Sequence, residues 1–225
     1  MGVKSQEHPL RPSSLRKREA ILAAAEAAFL GAGYDAVTMD DIAAAAGVSK
    51  QTLYSHFGTK DQLFVALVTD MTRVAGDAVQ VDRAPATPTL PGLQAHLEES
   101  MVRQLTAVLQ PRILQLRRLV IGEVPRFPAL AEAVYDNGPQ RAIEALTKTL
   151  RGANAIGILE VQHPRSAAAE LNWLVMGEPV NRAMFLGDNA VPTARELRAH
   201  VKASVAAFLQ AYRPATESGP PSASG

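Results

Sequence analysis

The chain has no cysteine among its 225 residues. That excludes a disulfide framework and a Cys-ligated zinc site, and it fits a reducing compartment. No apolar run approaches the roughly 20 residues needed to span a membrane. The N-terminal stretch is polar and holds Pro9 and Pro12, unlike the apolar segment of a secretory signal. A cytoplasmic location is therefore expected. The net charge of +1 is too small for a protein that coats nucleic acid in bulk. Catalytic signals are missing as well. His8, His56, His96, His163 and His200 are scattered, with no recognised metal-ligand spacing, so no metal is expected. Gly152 to Gly157 (GANAIG) resembles a phosphate loop only superficially, because no strand precedes it. No Ser/His/Asp set, internal repeat or strand alternation stands out. The chain is not expected to be an enzyme, and no cofactor is implied.

What is present is helical periodicity and one dense motif. The positive charge is concentrated at the start: residues 1–18 hold Lys4, Arg11, Arg16, Lys17 and Arg18 against Glu7 alone. Residues 1–13 read as a disordered basic arm. Ser13 or Ser14 opens a first helix whose apolar stripe is Ile21, Leu22, Ala25 and Phe29, and Gly31 or Gly33 ends it. Thr38 is a good N-cap for a second helix, Met39 to about Ala46. Gly47 suits the tight turn after it, where φ must be positive. Ser49 then caps a third short helix with Leu53 and Phe57 on one face. Two short helices joined by such a turn form a helix-turn-helix, which places its second helix in the DNA major groove.

Residues 33–63 (GYDAVTMDDIAAAAGVSKQTLYSHFGTKDQL) carry a specific resemblance. Thr38, Ile42-Ala43, Ala46-Gly47-Val48-Ser49, Thr52-Leu53-Tyr54, His56-Phe57 and Lys60 fall where TetR/AcrR-type regulators carry the same residue types. The likeness runs from about Arg16 to Leu67, and the end of the chain loosely resembles the AefR-like subset. One position departs: Gln51 stands where the family often has Gly. A Gln can bond adenine N6 and N7 together, so base preference here would be particular to this protein. The resemblance implies double-stranded DNA with a palindromic operator as partner. Lys50 and Gln51 are the expected base readers, with Thr52 and Ser55 beside them. Tyr54, His56 and Lys60 match phosphate-contacting positions, and Thr38 and Ser49 are caps that can also contact DNA. Arg16, Lys17 and Arg18 add phosphate contacts from the first helix.

Beyond Gly58-Thr59 the pattern stays helical, so the fold class is all-α. A connecting helix is expected at 61–79. Residues 80–92 hold three prolines and read as a linker. Further helices are expected at about Leu93–Leu109, from Pro111, at Ala129–Tyr135, at Pro139–Ala155, at Pro164–Leu186 and at Pro192–Tyr212, with Asn137-Gly138 as a break. The domain reading is a DNA-binding head at 14–60 with its motif at 38–57, a ligand-binding and dimerisation body at 80–212, and a disordered tail at 213–225. The resemblance implies a homodimer through the last two helices, whose wide apolar faces hold Leu171, Leu174, Val175, Leu197, Val201, Val205 and Phe208. Gly177 and Pro179 interrupt one of these helices. An apolar effector pocket is expected there, walled by Trp173, Met176 and Asn181 with Leu116 and Val120 opposite, and with Arg117 and Arg118 toward solvent. The expected function is a ligand-responsive transcriptional repressor released from DNA by a small, unidentified apolar effector. An enzyme and a ligand-independent architectural DNA binder are the competing readings.

Overall fold

The computed structural model describes residues 12–79 and 88–214. The expectations for the arm before residue 12, for 80–87 and for the tail beyond 214 lie outside them. Every regular element among the described residues is helical. None of those helices is long and apolar enough to cross a membrane.

The described residues divide into two compact units, 12–72 with 115–134, and 73–79 and 88–114 with 135–214. The first contains α1 (Pro12–Ala32), α2 (Met39–Ala45), α3 (Lys50–Phe57) and the start of α4 (Lys60–Val79). It also takes most of α6 (Pro111–Gly122) and nearly all of α7 (Pro128–Tyr135). Ile21, Ala25 and Phe29 recur every four residues on α1 and are fully buried. They meet Ile42 of α2, Leu53 and Phe57 of α3, Leu63, Phe64 and Leu67 of α4, and Leu116, Val120 and Leu130 in one core. An aromatic group knits it together. Phe29 stacks on Tyr34 at 5.7 Å, and Phe64 and Phe127 meet the Tyr34 ring edge-on at 5.0 and 5.3 Å.

The second unit holds α5 (Leu90–Val108), a π-helical turn (Asp136–Gln140), α8 (Arg141–Ala155), α9 (Pro164–Leu186), a short 3-10 turn (Asp188–Ala190) and α10 (Ala194–Ala211). α8 packs on α9, and α10 packs on α5 and α9. The core runs through Leu97, Met101 and Leu105 of α5, Leu146 and Leu150 of α8, Leu171 and Val175 of α9, and Val201, Val205 and Phe208 of α10.

Several boundaries differ from the sequence reading. α1 starts at Pro12, within the stretch read as a disordered arm, and α10 starts at Ala194, after its Thr193 cap, rather than at Pro192. α5 starts at Leu90 rather than Leu93, because Thr89 accepts from the Gly92 N–H at 3.2 Å and Pro91 sits in the first turn. No intrahelical N–H partner is needed there. At Asn137-Gly138 the backbone does not break but widens into the π turn, where the Arg141 N–H reaches the Asp136 carbonyl. Pro139 would clash with its preceding turn in a regular α-helix, and the wider turn gives its ring room.

Candidate nucleic-acid interface

Local chemistry sets the two reading helices. The Thr38 Oγ1 accepts from the Asp41 N–H at 3.2 Å, and the Asp41 carboxylate accepts from the Thr38 N–H at 3.2 Å. The Thr38 hydroxyl donates to that carboxylate at 2.5 Å. This reciprocal box starts α2 and holds the Asp41 carboxyl below its ordinary range, chiefly through the Thr38 hydroxyl. Gly47 takes φ +66, which a side chain would disfavour, and so turns the chain between α2 and α3. Ser49 caps α3 by accepting from the Thr52 N–H at 3.1 Å, and its hydroxyl also meets the Thr52 hydroxyl at 2.9 Å. Leu53 and Phe57 anchor α3 inward.

That anchoring decides what faces out. Lys50, Gln51, Tyr54 and Ser55 are exposed, and Thr52 and His56 are half-buried. Gln51 engages no side-chain partner among the described residues, so its amide is unengaged. Lys50 is held: its ammonium pairs with Asp40 at 2.5 Å, which pushes its pKa up. Ser55 donates to the Thr52 carbonyl at 2.8 Å. Lys60 donates to the Asp35 carbonyl at 3.3 Å and lies 4.3 Å from the centre of the Tyr34 ring. On α1, Arg16 and Lys17 are exposed, while the Arg18 guanidinium covers the Phe57 ring at 5.4 Å. The structure thus brings the expected DNA-contacting residues together in one unit. It also shows that the Thr38 and Ser49 hydroxyls serve as caps.

Residues 21–67 match the family model described as bacterial regulatory proteins, tetR family. Residues 95–214 match the one described as AefR-like transcriptional repressor, C-terminal domain. The chain belongs to the TetR family. A solved TetR-family transcriptional regulator from Mesorhizobium loti is 32% identical, with a TM-score of 0.78 over 91% of this chain and 100% of that one. The solved flavonoid-responsive regulator FrrA is 30% identical, with a TM-score of 0.69 over 89% of this chain and 99% of that one. The HTH-type transcriptional regulator YhgD of Bacillus subtilis (strain 168) is 34% identical over 103 residues, 44% of this chain and 48% of YhgD. The chain therefore aligns with only about half the length of that curated relative. TetR-family proteins are DNA-binding, dimer-forming transcriptional regulators rather than enzymes.

The residues expected to form the dimer interface of this TetR-family chain are mostly elsewhere. Leu171, Val175, Leu197, Val201, Val205 and Phe208 lie in the core of their own unit, each at most 5% exposed. Of the expected set only Leu174 is exposed. A 3.6-residue period does not tell the face that packs in the monomer from the face that remains outside. The outward apolar residues of α9 are Trp173, Leu174, Phe185 and Leu186. The outward face of α10 carries Ala199, Ala203, Ala206 and Ala207.

The residues expected to wall the effector pocket are divided between the two units. Leu116 and Val120 are buried in the core of the first unit, whereas Met176 is buried in the core of the second. Trp173 is about half-exposed. Asn181 is exposed and donates to the Gly177 carbonyl at 2.8 Å. A shallow open groove on α9, lined by Gly177, Glu178, Asn181, Arg182, Phe185 and Leu186, takes only Asn181 from that set. Arg117 does not point freely to solvent: it is half-buried, and burial lowers its pKa. The polar feature that sequence reasoning missed is an amide pair in the body core. Gln104 Nε2 donates to Asn172 Oδ1 at 3.4 Å, with both side chains buried. Its only signal in the sequence was a polar residue at an otherwise apolar position of each helix.

Proposed function

We propose that this protein is a sequence-specific transcriptional repressor that binds a palindromic operator as a homodimer and releases it on binding a small apolar effector. The observation that carries the reading is the division of α3: Leu53 and Phe57 face inward, while Lys50, Gln51, Tyr54 and Ser55 form an outward polar face. Gln51 and Lys50, near the start of α3, read bases. Tyr54, His56, Lys60, Arg16, Lys17 and Arg18 meet phosphates and set register. One short helix reads too few base pairs, and a two-fold dimer doubles the site. The outward faces of α9 and α10 supply the dimer contact.

The effector belongs to the body. FrrA, 30% identical to this chain, is named as flavonoid-responsive, and flavonoids are aromatic ring systems that carry hydroxyl and carbonyl oxygens. The apolar core around Met101, Met176, Leu105 and Val175, with the Gln104–Asn172 pair as its polar element, suits the same chemistry. Flexible methionines can repack around such a guest. Release follows if the effector favours a conformation with weaker DNA affinity, by about 1–3 kcal/mol of coupling. Selection of bound duplexes from a random pool tests the reading: it is expected to return a two-fold symmetric site. Loss of binding when an apolar compound stabilises the protein against heat would support release. Enrichment of no sequence, or binding indifferent to every stabilising compound, would favour an architectural binder.

A further inference from the structure

The connection between α6 and α7, outside the helix-turn-helix, places one cation against the reading head. The Arg126 guanidinium lies 4.5 Å from the centre of the Tyr34 ring and 5.5 Å from that of Phe127. Its Nη2 reaches Asp61 at 3.3 Å and its Nη1 reaches Asp35 at 3.5 Å. The Tyr34 hydroxyl donates to the same Asp61 carboxylate. On that Tyr34 ring also sits Lys60, bonded to the Asp35 carbonyl. Two carboxylates therefore flank a proposed phosphate-contacting lysine, and the cation opposing them comes from residues 115–134.

We infer that Arg126 is a positioning residue for DNA binding: it neutralises Asp35 and Asp61 beside Lys60 and holds the Tyr34 turn that leads into the Thr38 cap. The inference rests on the DNA-binding reading above. The two ion pairs contribute little to folding, because Arg126 and Asp61 are about half-exposed and Asp35 is more so. Their effect on a polyanion is larger. Without Arg126, both carboxylates face the phosphates that Lys60 must approach, and each repels the backbone that sets most of the affinity. Residues 115–134 thereby set the affinity of a head to which the helix-turn-helix itself supplies the contacts.

The test measures binding to a selected operator and to a random-sequence duplex of the same length, across salt. Arg126→Ala is expected to weaken both by roughly tenfold near 0.1 M salt and to lower the salt slope by about one. Arg126→Lys should stay close to wild type. The triple variant Arg126→Ala, Asp35→Asn, Asp61→Asn should recover most of the loss, since the amide oxygen at position 61 still accepts from Tyr34 and no carboxylate remains to be opposed. Arg126→Ala binding both duplexes like wild type would overturn the inference. So would a triple variant no better than the single one, because Arg126 would then act only by packing on Tyr34 and Phe127. A wild-type protein that binds neither duplex would instead overturn the DNA-binding reading.

Discussion

His200 of α10 donates its Nε2–H to the backbone carbonyl of Val175 on α9, at 2.9 Å. Pro179, four residues on, is why that carbonyl is available: proline has no N–H to bond it inside the helix. A carbonyl accepts only, so the imidazole carries its proton on Nε2. His200→Ala is expected to destabilise the second unit by about 1–3 kcal/mol, because a buried acceptor loses its partner. In a Pro179→Ala background the helix supplies its own donor, and the same substitution should cost about 1 kcal/mol less. Urea unfolding of the four proteins measures the difference. Equal costs in both backgrounds would show that the imidazole does not serve this carbonyl.

Two capping boxes make the fold acid-sensitive. Asp41 in α2 and Glu196 in α10 each bond a threonine hydroxyl and backbone N–H, and both carboxyls are held below their ordinary values of 3.8 and 4.5. A carboxyl with a depressed folded pKa stabilises above its unfolded value. That contribution is lost as pH falls through the folded value. Stability is therefore expected to decline as pH drops below about 4.5. Thr38→Ala with Thr193→Ala should flatten that decline as well as lower the neutral melting temperature. Thermal melts from pH 7 to pH 3 would show both effects, and an unchanged acid limb would count against the boxes.

At the reading face, Gln51→Ala should alter base preference at one position per half-site at a cost of roughly 1–3 kcal/mol. Asp40→Asn should act in the opposite sense on all sequences. It frees Lys50 from its 2.5 Å partner and removes a negative charge from the interface. Tighter binding of both specific and random duplexes is the expected result. If Asp40→Asn weakens binding, Lys50 works through its ion pair and not by contacting DNA.

The buried Phe208 makes a poor probe of dimerisation. A glutamate there would unfold the monomer core first, since the ring is 4% exposed. Phe185, 84% exposed, is the better site. Phe185→Glu, alone or with Leu174→Glu, is expected to give a folded monomer in analytical ultracentrifugation, with helical content retained by circular dichroism. A stable dimer in the double variant would move the interface away from the outward face of α9.

The reading head was legible because its signals are local. Thr38, Gly47 and Ser49 act on backbone within three residues of themselves, so their roles can be read from neighbours alone. Leu53 and Phe57 show the buried side of a short helix by spacing, and the outward side follows by elimination. The body was less legible. Its helices were placed nearly to the residue, α9 at Pro164–Leu186 among them, because prolines and caps mark ends locally. Which faces pair was not.

By itself, then, the sequence determined the all-helical class, the approximate helix ends and the outward chemistry of α3, since each depends on residues a few positions apart. Only the tertiary structure decided that Leu197, Val201 and Phe208 fill their own core, that Leu116 and Val120 join the first unit, and that Trp173 and Phe185 remain outside. Only it paired His200 with the carbonyl left by Pro179, Gln104 with Asn172, and Arg126 with Asp35 and Asp61. The physical reason is common to all of these. Hydrophobic burial has no direction along the chain, and an unpaired polar group takes whichever partner folding brings within about 3 Å, however distant in sequence.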